Sequence, residues 1–301
     1  ALAPIQETMR TALPFSDHQM ALLQGPALAL PVVVAAVPLG LAIDRYSRVR
    51  LLLLFALTDL VGSALTALAP NFALLFMARC LVGLSAAVIS TGVISLLPDL
   101  YPAAQRGRAK AVLAVGQYAG IAAAFALGGA LAAMFHSVDG WRWAMLGMTA
   151  PLVLALFPML IMREPVRTCV ATGNSSSRGA MAQLWRHRAV VAPLLIGIVV
   201  VETAIFAVLT WAAPSLARGF ALAPDRIGAI MATALMVSGL VGPIAGGTLA
   251  DCCHRQGGPR RTMAALGLLG LLGVPGGLFT VVPGLAAAIG MLVMFVTAGS
   301  A

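Results

Sequence analysis

The sequence predicts an all-α protein that crosses a lipid bilayer many times. Hydrophobic residues make up 60% of the 301 residues and the mean hydropathy is +0.98; a soluble domain carries about 45–50% apolar residues. Only 10% of the residues are charged, against about 25% in a soluble domain. The apolar residues fall in runs of about 20, the helical length that crosses a ~30 Å hydrocarbon core. No series of alternating segments of about 10 residues appears, which argues against a membrane β-barrel.

Each span is bounded by charge, Gly or Pro. Residues 1–15 read as the tail of an earlier span, and the stretch PFSDHQ begins the next, with Ser16 or Asp17 as N-cap. A span over 20–43 runs into GLAIDRYSRVR, Gly40 to Arg50, where an Asp and three Arg end it. The next two, 50–69 and 72–97, are separated by Pro70 and Asn71, and Pro98 and Asp99 follow the second. Spans 109–134 and 141–162 flank a gap holding His136 and Asp139. After the longest polar stretch come 189–212, closed by Pro214, then 226–250, 262–281 and an incomplete 284–301. Gly and Pro inside these spans are compatible with membrane helices.

The net charge of +9 raises the possibility of nucleic-acid binding, but the cations do not gather on one soluble face. They sit in the gaps, where they act as orientation signals. Of the 19 Lys and Arg, 14 fall in one alternating set of gaps, among them Arg45, Arg50, Arg163, Arg186, Arg188, Arg260 and Arg261. Four (Arg10, Arg142, Arg218, Arg226) fall in the other set, and Arg79 lies within a span. The positive-inside rule assigns the first set to the cytoplasm. Trp141 and Trp143 read as anchors of the outer interface, and Trp185 with Arg186 and Arg188 as a segment on the membrane surface.

The four cysteines fit no zinc or disulfide spacing, and Cys252–Cys253–His254 reads as small residues at a helix end rather than a metal site. No nucleophile elbow, phosphate loop or metal-spaced His set occurs, so no enzyme, cofactor or metal is expected. Residues 163–188, centred on TGNSSSRG, read as a linker. The hinge at Gly40–Arg50 has a second copy, GTLADCCHRQGGPRR, Gly247 to Arg261; in both, Gly is followed four positions later by Asp. Six expected spans separate the copies, the mark of a duplicated six-helix unit.

These residues resemble the major facilitator superfamily. Gly40, Asp44, Arg45 and Arg48 fall where its signature loop between helices 2 and 3 has them. The stretches SDHQMALLQGPALAL, IDRYSRVR, NFALLFMARCLVG, LPDLYPAAQRGRAKA, GWRWAMLG, REP, WAAP and GGTLAD are similar to its Spinster-like branch. The resemblance implies two pseudo-symmetric six-helix bundles, here lacking most of helix 1 and helices 11 and 12, with both chain ends read as cut. The first half would be 1–162, the cytoplasmic linker 163–188 and the second half 189–301. Two departures stand out. Ala86 occupies the position where the branch usually has an acid, and the helix-5 motif has Gly116, Gly120, Gly128 and Gly129 but no Pro.

The resemblance also implies site residues. Asp44, Arg48 and Asp99 would form a cytoplasmic latch, an Arg between two carboxylates, in a set with Gly40, Arg45, Arg106, Gly247 and Asp251. The alternative is that these are topology signals only. Arg79, inside a membrane span, is read as a cation facing the solute, or else as half of a structural ion pair. Glu202 and Asp59 are intramembrane acids able to hold a proton, because burial disfavours a charged carboxylate. Glu202 is the candidate coupling site and Asp59 is read as structural. Gln24, Gln117, Tyr118, Ser90 and Trp211 are polar or aromatic positions on cavity-type helices.

The expected function is secondary transport of a small organic, anionic or amphipathic solute by alternating access, coupled to protons. The protein would be a monomer in a bacterial inner membrane. A gradient-independent facilitator and a non-transporting membrane sensor or partner are the alternatives.

Overall fold

The computed structural model describes residues 5–13, 15–102, 105–135, 137, 139–165 and 185–300. The centre of the expected linker, 166–184, lies outside them. The described chain is helical, and eight of its segments are long and apolar enough to cross a membrane.

The helices are α1 Gln6–Ala12, α2 Asp17–Gln24, α3 Pro26–Arg45, α4 Arg48–Leu68, α5 Phe72–Leu100, α6 Arg106–Met134, α7 Gly140–Gly147, α8 Ala150–Ile161, α9 Arg188–Phe220, α10 Pro224–Gly273 and α11 Leu285–Ser300. A 3₁₀ segment, Val274–Thr280, precedes α11.

Local chemistry explains most boundaries. Ser16 is the N-cap of α2: its Oγ accepts from Gln19 N (3.2 Å) while Gln19 Oε1 accepts from Ser16 N (3.0 Å). The expected span 20–43 is divided at Gly25, which closes α2, and Pro26 opens α3 at a position whose N–H would have no helical partner. The span 141–162 is likewise α7 and α8, divided at Met148–Thr149. α9 runs past its expected end because Pro214 is accommodated inside the helix.

The second hinge differs from expectation. Gly257, Gly258 and Pro259 predict a break, yet α10 is continuous from Pro224 to Gly273. Nucleating a helix is costly and extending one is cheap. Helix entering from the apolar runs on both sides therefore continues through the polar segment. Its 50 residues measure about 75 Å, over twice the hydrocarbon thickness. Two membrane-length stretches, Pro224–Leu249 and Met263–Thr280, flank the polar segment.

The chain forms two compact units. The first is Ala1–Val166 with Ala213–Thr233; the second is Arg167–Ala212 with Ala234–Ala301. In the first, α5 is central and packs against α3 and α4, while α4 also meets α7 and α8. Lipid is as apolar as Leu, so close packing rather than the hydrophobic effect holds such helices together. At Gly83 of α5 a Cβ would lie 2.4 Å from the Leu28 carbonyl oxygen, so the backbones of α3 and α5 meet directly there. One end of this unit is closed by a core of Ile5, Met9, Met20, Leu23, Leu75, Trp141 and Met145. Trp141 belongs to that core at 2% exposure, whereas Trp143 is 58% exposed. Only Trp143 can therefore serve as the interfacial anchor expected of both.

In the second unit α10 meets α11 through hydroxyls. Thr297 Oγ1 donates to the buried Ser238 Oγ (3.0 Å), and Ser300 Oγ donates to Ser238 O (3.0 Å).

Candidate functional site

α5 places Arg79 inside the first unit at 4% exposure. Its Nε donates to the Leu23 carbonyl at 3.5 Å, near the end of α2. The next residue, Gln24, is 5% exposed and its Nε2 donates to Oε1 of the fully buried Gln6 on α1. Arg79, Gln24 and Gln6 thus gather buried polar groups from three helices. Gln6 Nε2 is buried and has no hydrogen-bond partner among the described residues. On α4, Asp59 is half-buried and its Oδ1 accepts from Ser85 Oγ at 3.0 Å; Asp59 and Arg79 attract each other electrostatically. Ser90 and Ala86 are exposed on α5, Gln117 is exposed and Tyr118 half-buried on α6. Glu202, exposed, and Trp211, half-buried, lie on the α9 portion that belongs to the second unit.

At the opposite end of α5 the structure brings Arg48 and Asp99 together. Arg48 Nη1 donates to Asp99 Oδ2 and to the Ser95 carbonyl (2.8 Å). The side chains are 12% and 2% exposed, a setting in which an ion pair is little screened. Arg106 donates to the carbonyls of Pro98 and Tyr101, both at 3.1 Å, and so caps the end of α5 with positive charge. Asp44 and Arg45 are exposed in the last turn of α3, and Gly40 and Gly247 face open space. The Asp251 side chain lies outside the described residues.

Three residues with no role in the sequence reading join these sites. Ser85 pairs with Asp59, and Gln6 faces Gln24. Glu164, from the REP stretch after α8, caps α4. Its Oε2 accepts from Ser47 Oγ (2.6 Å) and Val49 N (2.9 Å), and its Oε1 from Arg48 N (3.1 Å). The other end of α4 is held by Arg142, which donates to the carbonyls of Ala67 (2.7 Å) and Ala69 (2.9 Å).

The ends of the first unit also sort as the charge count predicts. Arg50 and Arg163 line one cleft. Arg10 and Arg218, from the opposite set of gaps, both approach Asp17.

Long apolar helices bundled around a few buried polar groups, with ion pairs at their ends, define a polytopic membrane protein. The sequence matches the Major Facilitator Superfamily over residues 1–301, and the chain belongs to that family. It is 30% identical over 149 residues to a D-xylose transporter of Levilactobacillus brevis, a match covering 49% of this chain and 32% of that protein. It is 31% identical over 118 residues to the quinolone resistance protein NorB of Staphylococcus aureus, covering 39% and 24%. These matches span about a third or less of the relatives' own length. The fold is similar to a bacterial homolog of the human lysosomal transporter Spinster, in its inward-facing and occupied conformation. That similarity has a TM-score of 0.78 at 23% identity and covers 99% of this chain and 67% of that one. The branch resembled in sequence is thus also a likeness of fold.

Proposed function

We propose that the protein is a secondary carrier for a small organic solute bearing an anionic or strongly hydrogen-bonding group. The observation that carries this is the set of buried polar groups on α1, α2 and α5: Arg79 donating to the Leu23 carbonyl, and the neighbouring Gln24 paired with Gln6, whose Nε2 has no partner among the described residues. An intramembrane charge is expensive and is kept for function. Arg79 supplies the cation and Gln6 a donor, both suited to carboxylate or hydroxyl oxygens. The relatives' names span a pentose and a quinolone, so the solute class rests on this cluster rather than on them.

Movement is by alternating access between two helical halves, 1–162 and 189–301, joined by the linker 163–188. Arg48, Asp99 and Arg106 act at the cytoplasmic end with Gly40, Asp44, Arg45, Gly247 and Asp251; Asp17 and Arg218 act at the outer end. Glu202 is the proton site, Gln117, Tyr118 and Trp211 are further solute- or ion-binding positions, and the carrier works as a monomer in a bacterial inner membrane. Ala86 in place of the branch's usual acid favours a second reading, a facilitator that needs no gradient.

Uptake into membrane vesicles, with and without an imposed pH gradient, tests both. Arg79→Gln is expected to weaken solute affinity about 10- to 100-fold, the effect of losing a charge-assisted hydrogen bond. Glu202→Gln is expected to abolish the pH-driven component. Intact pH-driven uptake in Glu202→Gln removes the proton assignment, and uptake indifferent to Arg79→Gln removes the solute site.

A further inference from the structure

A cleft of about 480 Å³ opens where the start of α4 meets the end of α8, lined by Ser47, Val49, Arg50, Met162, Arg163 and Glu164. It lies at the end of the helices that the charge count assigns to the cytoplasm. Its wall carries two guanidinium groups and one carboxylate. The carboxylate, Glu164, is turned to α4, where its oxygens accept the Ser47 hydroxyl and the Arg48 and Val49 amides. Arg50 and Arg163 give the cleft a net positive charge, and both are exposed.

An apolar track leads from each Arg toward the bilayer. On α4, Leu54, Leu57 and Val61 follow Arg50 at helical spacings of four, seven and eleven, and they are 56%, 44% and 53% exposed. On the last turns of α8, Phe157, Leu160 and Ile161 precede Arg163 and are 62%, 64% and 81% exposed. Two guanidinium groups lining one cleft, with two exposed apolar tracks leading from it at the end assigned to the cytoplasm, suit a molecule with an anionic head and apolar tails.

We propose that this cleft binds an anionic phospholipid, its phosphate between Arg50 and Arg163 and its acyl chains along the exposed faces of α4 and α8. Guanidinium groups bind phosphate through paired hydrogen bonds, and basic sites between membrane helices on the cytoplasmic side take anionic headgroups. The site is independent of Arg79 and of the solute.

The test is native mass spectrometry of the full chain in mild detergent, offered phosphatidylglycerol or phosphatidylcholine. The wild type is expected to retain phosphatidylglycerol in preference to phosphatidylcholine. Each single change, Arg50→Gln or Arg163→Gln, is expected to weaken retention about fivefold, and the pair more than tenfold. Arg108→Gln with Arg186→Gln removes equal charge outside the cleft and is expected to leave lipid retention as in the wild type. Should the Gln pair not be recoverable as folded protein, Arg50→Lys with Arg163→Lys must keep the lipid preference while binding more weakly, since Lys lacks the planar fork. Equal retention by Arg50→Gln/Arg163→Gln and wild type overturns the proposal, as does an equal loss in Arg108→Gln/Arg186→Gln. Displacement of the lipid by millimolar inorganic phosphate also overturns it, and would make the cleft a site for free phosphate.

Discussion

Arg218 holds Asp17 through two hydrogen bonds, Nη2 to Oδ1 at 2.9 Å and Nη1 to Oδ2 at 3.1 Å, across 201 positions of sequence. Arg10 Nη1 approaches the same Oδ1 at 3.7 Å. The pair joins the start of α2 to the end of α9, and the segment Ala213–Thr233 packs within the first unit. Both side chains are well exposed, 48% for Asp17 and 38% for Arg218. Exposed ion pairs of this kind contribute little to stability because water and salt screen them. Arg218→Gln is therefore expected to leave the thermal midpoint unchanged. In a background with the native cysteines replaced by Ser, Asp17→Cys and Arg218→Cys are expected to be joined by a short membrane-impermeant cross-linker added outside intact cells. Joining only when the reagent is inside reverses the assigned orientation.

The inner pair behaves oppositely. Arg48 and Asp99 are 12% and 2% exposed, so removing either partner leaves the other charge buried. Such losses run to about 3–5 kcal/mol. Arg48→Gln and Asp99→Asn are each expected to unfold at markedly lower temperature, and the double variant to recover most of the loss. A double-mutant cycle on thermal or denaturant unfolding in detergent measures this coupling. Additive losses would show that the two residues act separately.

The crossing of α6 and α10 leaves no room for a side chain. A Cβ on Gly129 would lie 2.5 Å from the Pro224 carbonyl oxygen and 2.9 Å from Gly228 Cα, and one on Gly228 would lie 2.6 Å from the Phe125 carbonyl oxygen. These are backbone atoms and cannot swing aside. Gly129→Ala is expected to destabilise by about 1–3 kcal/mol through overpacking. Gly120→Ala, on the same helix with open space around its Cα, is expected to be tolerated. Comparing their unfolding midpoints separates crowding from helix propensity.

The helical layout was legible because its determinants are local. Apolar length, the Ser16 N-cap and the Pro70–Asn71 break between α4 and α5 all act within a few residues. The alternation of Arg between ends was legible for the same reason: Arg50 and Arg163 line one cleft, and Arg10 and Arg218 both approach Asp17. What the sequence hid depends on distance in the chain. Glu164 reaches α4 across 117 positions to Ser47, and nothing near residue 164 marks it as a cap. Gln6 looked like the end of a span until folding set it against Gln24. The pairing of Arg48 with Asp99 came from the family resemblance, since neither residue's neighbours specify the other. The continuity of α10 went against Gly and Pro propensity, which flanking helix can override.

α4 is clamped at both ends by side chains from elsewhere, Glu164 on its first amides and Arg142 on its last carbonyls. Sliding it along its axis by a single residue, about 1.5 Å, would misalign both sets of bonds together. A piston stroke of this helix is thereby penalised twice. Tilting, which carries the helix and both clamps as one strut, is not.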